Sequence, residues 1–157
     1  MGMESSNSFT YDRNQRGGAV PEGKTRICLS GFKVSHHTSR GKQIADLIAK
    51  KYSDHYETWF YFGGEHSALV NDIKAKLTDE AQVAKFGVRD GWSSPFVWFE
   101  APDGTLDAKG GRDDFSAWVL ETFPEDEALT KLASSEPGMS EVFFNKNPGT
   151  AQQPGPK

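Results

Sequence analysis

Apolar residues alternate with small or polar ones over Thr25-Arg26-Ile27-Cys28-Leu29-Ser30-Gly31-Phe32, the period of a strand with one buried face. A loop, Lys33 to Thr38, comes next. From Ser39 the pattern changes: Gly41, Ile44, Ala45 and Ile48 recur at helical spacing and Lys50 and Lys51 stand near the negative end of the helix dipole. Tyr56-Glu57-Thr58-Trp59-Phe60-Tyr61-Phe62 is aromatic and β-branched, a strand buried on much of both faces. Leu69, Val70, Ile73 and Leu77 then mark a second helical stripe, and a short helix over 79–86 is predicted with Thr78 as its cap and Val83 and Phe86 inward. Phe96-Val97-Trp98-Phe99 is the third strand, Ala101-Pro102-Asp103-Gly104 a turn and Thr105 to Ala108 the fourth strand. The next helix begins with Phe115, Trp118 and Val119.

The predicted order is β-α-β-α-β-β-α, with an extra helical segment before the third strand. A strand, a helix and a second parallel strand imply a right-handed crossover, and the close Asp103-Gly104 turn makes the last two strands antiparallel neighbours. The result is an α/β domain with a four-stranded mixed sheet between helices, the thioredoxin-like arrangement, over residues 24–123. Residues 1–23 read as a polar tail without apolar periodicity. Over 124–144 an acidic first turn, Pro124-Glu125-Asp126-Glu127, heads an apolar stretch through Leu129 and Leu132 and suits an added helix. Residues 145–157 read as a second tail.

Charge and composition narrow the partners. At 157 residues the chain is long enough to close a core, and eleven phenylalanines and four tryptophans supply it. A net charge of −4 and a pI near 5.6 argue against nucleic acid, whose binders are basic on at least one face. No apolar run has the length of a membrane span or a signal peptide, so a soluble cytoplasmic protein is expected. The lone Cys28 forms no internal disulfide, in keeping with a reducing compartment. Met1-Gly2-Met3-Glu4-Ser5-Ser6 satisfies the short pattern for myristoylation of Gly2; a single acyl chain gives only weak anchoring, and a plain polar start is the simpler reading.

Two segments carry candidate chemistry. Ser94-Pro95 opens the buried third strand; proline there cannot donate to a sheet ladder, and a cis bond before it is one stable solution. Gly110-Gly111-Arg112-Asp113-Asp114 places two residues tolerant of positive φ before two aspartates at a helix start. Over residues 25–122, with these two segments in this strand order, the chain resembles the glutaredoxins. That resemblance implies that Ser94 and Pro95 face the cysteinyl part of glutathione while the Arg112 backbone and Asp113 side chain hold its γ-glutamyl end, with Lys33, Ser35 and Thr38 completing the groove. The physics is consistent, since amides at a helix start attract a carboxylate and an aspartate attracts an ammonium group.

The departure is equally informative: where glutaredoxins carry Cys-Pro-Tyr-Cys, this chain reads Ser35-His36-His37-Thr38. Disulfide exchange needs a thiolate nucleophile, and Cys28, in a strand leading into the core, is expected to be a small buried hydrophobe. In lacking redox cysteines and having a lengthened middle region, the chain is similar in plan to the SH3-domain-binding glutamic acid-rich-like proteins. His36 and His37 are neighbours without a ligand set of metal-binding spacing and are read as loop residues. With Phe32 and Trp92 they form a rim suited to a protein partner. The expected function is a redox-inactive binding or scaffold module, with glutathione or a peptide as groove ligand and no required cofactor. The alternative is a glutathione-dependent, transferase-like enzyme using Ser35.

Overall fold

The computed structural model describes residues 18–138, so Gly2 and the distal C-terminal residues lie outside the described part. The elements are β1 (Thr25–Gly31), α1 (His36–Lys51), β2 (Tyr56–Phe62), α2 (His66–Ala75), α3 (Glu80–Phe86), β3 (Phe96–Glu100), β4 (Leu106–Gly110), α4 (Arg112–Thr122) and α5 (Glu127–Ser134). The four strands form one open mixed sheet in the order β2-β1-β3-β4. β1 runs parallel to β2 and antiparallel to β3, and β3 is antiparallel to β4. The Asp103-Gly104 turn joins the last pair, with Gly104 at φ 92° and the Asp103 carboxylate accepting from the Thr105 amide.

Strand alternation divides the core into two layers. Ile27 and Leu29 of β1, Phe60 of β2 and Val97 of β3 meet Ile44 and Ile48 of α1, Val119 of α4 and Leu129 of α5. On the other face Cys28, Trp59 and Trp98 meet Leu69 and Ile73 of α2 and Phe86 of α3. The helices α1 and α2 therefore bury the stripes that their apolar periodicity marks.

Several boundaries differ from the sequence reading. α1 starts at His36, because the Ser35 hydroxyl accepts the Thr38 amide and caps the helix three residues before Ser39; His36, His37 and Thr38 are helical, not loop. Asp79 rather than Thr78 caps α3, accepting from the Ala81 and Gln82 amides. Val83 is 43% exposed instead of inward. The reason is geometric: Gln82 and Phe86, four residues apart, share the face turned to the sheet, and Val83 is rotated away from it. β4 begins one residue later than expected and runs on to Gly110, and α4 begins at Arg112 instead of Phe115.

Polar side chains tie the periphery to this frame. On the α2 face Arg26 meets Glu57 at 2.6 Å and Glu100 at 3.4 Å and donates to the Gly18 carbonyl. Val20, placed in the polar tail by its sequence context, is buried, so the packed region starts before residue 24. Lys74 of α2 donates to the carbonyls of Arg89 and Gly91, and the Gly91 amide donates to Asn71, fixing the loop that leads to β3. Gln82 accepts the Ala108 amide of β4 and donates to the Asp107 carboxylate. Asp126 caps α5 and also meets Lys51 and Tyr52 at the end of α1.

Candidate functional site

The heads of α1 and α4 converge on the start of β3. Between them lies a groove of about 280 Å³ lined by His37, Trp92, Ser93, Ser94, Pro95 and Gly111 to Asp114. A larger depression, about 630 Å³ between Lys51, Tyr52 and residues 122–128, is remote from both sequence segments and is walled partly by the capping carboxylate of Asp126.

The Ser94–Pro95 peptide is cis. The Ser94 hydroxyl accepts the Phe32 amide at 2.9 Å and is hydrogen-bonded to the Thr38 hydroxyl. β1, α1 and the approach to β3 are thereby joined at one point. Gly31 lies directly against it: a Cβ there would collide with the Thr38 hydroxyl and sit 2.5 Å from Ser94 Oγ. Thr38 is consequently buried and does not line this groove, which the resemblance had it complete. Its position in the first turn of α1 aims it inward at Ser94.

At the head of α4 the two glycines act differently. Gly110 uses the left-handed region, at φ 105°, and a Cβ there would strike the Asp114 carboxylate, whereas Gly111 at φ −88° does not need that freedom. Asp114, not Asp113, accepts the Gly111 amide at 3.0 Å. Asp113 is left with its side chain 91% exposed at the groove. Arg112 lies inward, 7% exposed, with Nη2 3.2 Å from Asp113 and 3.2 Å from Glu136.

Of the groove residues expected from sequence, Ser94, Pro95, Arg112 and Asp113 are brought together, while Lys33, Ser35 and Thr38 line no part of it. The expected rim also divides. Trp92 and His37 line the groove, His36 stacks obliquely on His37 with centroids 4.4 Å apart, and Phe32 turns away to pack edge-on against His66 at 5.0 Å. Trp92 rests on Phe86 and Phe96 with the Arg89 guanidinium 4.6 Å above its ring. Partial burial, then the neighbouring His36 and Arg112, pull the His37 pKa below its usual value, against the opposing carboxylates of Glu136 and Asp113.

Two residues of this region escaped the sequence reading. His66 is fully buried, its Nδ1 2.7 Å from Ser30 Oγ. Burial holds its pKa below the ordinary imidazole range, although the Ser93 and Trp92 main chain favours the protonated ring. Its position was a usable signal, since residues 66, 69, 70 and 73 form one helical stripe. Glu136 offered no comparable sign, because only the tertiary fold brings it to Arg112.

The groove lining contains no thiol. Cys28 is fully buried in β1, with its sulfur 3.8 Å from the Arg26 carbonyl. Among the described residues no three His, Cys, Asp or Glu side chains form a metal-holding cluster, and no helix is long and apolar enough to cross a membrane. Compared with known proteins, the chain matches no family model, no curated protein and no solved structure.

Proposed function

We propose that this chain is a thioredoxin-like, glutaredoxin-related binding module that has given up thiol chemistry and retains the groove, with glutathione or the end of an extended peptide as ligand and a protein as its cellular partner. The observation that carries the reading is the convergence of Ser94 and Pro95 with Arg112 and Asp113 on one thiol-free groove. The head of α4 supplies main-chain dipoles for a carboxylate, and the exposed Asp113 supplies a counter-charge for an ammonium group. Ser35 acts as a helix cap, which favours a binding module over an enzyme that draws on its hydroxyl. A cytoplasmic site of action belongs to the same proposal.

Titration of the isotope-labelled chain with glutathione tests it. Binding on the order of millimolar is expected from a few solvent-exposed polar contacts, with amide shifts clustered at Ser94, Arg112 and Asp113. Asp113→Ala should weaken it about two- to fivefold, because a charge so exposed is strongly screened. No shifts at about 10 mM glutathione, well above that affinity, would reduce the segment to a turn and a helix cap. Turnover of a generic electrophile that is lost in Ser35→Ala would overturn the module in favour of an enzyme.

A further inference from the structure

Beyond α5 the chain turns back toward the groove. Arg40 of α1, itself buried, donates to the carbonyls of Leu132 and Ser135, to the Ser135 hydroxyl and to the Glu136 carbonyl. A guanidinium at the end of a helix satisfies carbonyls that have no partner within it and complements the dipole. The same clamp fixes the position of Glu136. This residue is held beside the head of α4, its two carboxylate oxygens 3.2 and 3.3 Å from Arg112 Nη2.

The pair is asymmetric. Arg112 is 7% exposed and Glu136 80%, so the cation is built into the fold while the anion is delivered from outside. Arg112 Nε is buried and has no hydrogen-bond partner among the described residues, which leaves donor capacity at a side chain whose carboxylate partners, Asp113 and Glu136, both meet Nη2. The same nitrogen that Glu136 meets lies 3.2 Å from Asp113, a groove residue, and His37 on the opposite wall feels Arg112, Glu136 and Asp113 together.

We propose that Glu136 is a tethered competitor for the groove: its carboxylate occupies Arg112 in the free protein and must leave before an acidic ligand can take the guanidinium. This rests on the groove being the ligand site proposed above. A carboxylate on a short tether has an effective concentration in the millimolar range or higher, comparable with the affinity expected for glutathione. The strap therefore sets a threshold: only a ligand with additional contacts along Ser94 and Pro95 displaces it efficiently. Its exposure means that salt weakens the closure.

Glutathione titrations of the full chain and two variants decide the matter. Glu136→Gln should bind about two- to fivefold more tightly than the wild type, the range open to one screened ion pair, and should shift the Arg112 side-chain Nε–H resonance before any ligand is added. Glu136→Asp keeps the charge on a shorter arm while Arg40 still pins the backbone, and it should also bind more tightly. Equal affinity of wild type and Glu136→Gln, with shifts still centred on Ser94, Arg112 and Asp113, would overturn the strap and leave the groove intact. Tightening in Glu136→Gln alone would overturn it too, by assigning the effect to charge at a distance. Absence of shifts at about 10 mM glutathione in all three proteins would remove both the groove and its competitor.

Discussion

His66 fills a place that an apolar residue usually takes, in the core layer beneath the approach to β3, with Ser30 at one ring nitrogen. Burial opposes the charged ring and lowers its pKa in the folded state, so the unfolded chain takes up a proton more readily. With more protons bound to the unfolded state, stability is lost as pH falls below about 6.5, the ordinary imidazole value, toward the depressed folded pKa. His37 is shifted in the same direction and adds to the slope in the same window. Urea denaturation at a series of pH values should show this decline, and His66→Gln should flatten it. An unchanged slope in the variant would assign the acid sensitivity to His37.

Between helix and strand, the loop before β3 is held by α2. Lys74 is largely buried, and its ammonium reaches the carbonyls of Arg89 and Gly91 while Asn71 accepts the Gly91 amide. Replacing it by methionine keeps most of the stem and removes the donor, leaving two carbonyls without that partner. Lys74→Met should cost about 1–3 kcal/mol of stability and speed hydrogen exchange at the Gly91 amide. Unchanged exchange would mean that Asn71 alone secures the loop. Lysine in a helix reads from sequence as solvated surface, which is why this anchor was not legible there. The aromatic strand at Tyr56–Phe62 and the Ile44/Ile48 stripe were legible, because burial and periodicity coincide in them. The start of α1 was not: His36, His37 and Thr38 carry no apolar period, and the decisive feature is one hydroxyl, that of Ser35, at the cap. Local turn and cap chemistry marks each of the two segments, Ser94-Pro95 and Gly110 to Asp114, but only the resemblance to the glutaredoxins joined Ser94, Pro95, Arg112 and Asp113 into one set. The diversion of Thr38 into Ser94, and of Arg112 into Glu136, depends on contacts across the fold.

For the molecule as a whole, α5 is a wall of the domain rather than an appendage. Leu129 is fully buried in the same apolar layer as Ile44, Ile48 and Val119, and Asp126 ties the helix start to Lys51 and Tyr52. Leu129→Ala should destabilise the protein by about 2–5 kcal/mol, measured by thermal or denaturant unfolding. Loss below about 1 kcal/mol would mean that α5 can detach without disturbing the layer, since a buried leucine truncation ordinarily costs more. The opposite border of the fold is finished by a single amide side chain. Gln82 occupies the Ala108 main-chain donor in β4 and grips Asp107 beside it, so an approaching strand finds that position already taken. An outermost strand with open donors is a template for fibre growth; here the template is interrupted at its middle, and folded molecules crowded together gain no continuous ladder by meeting along β4.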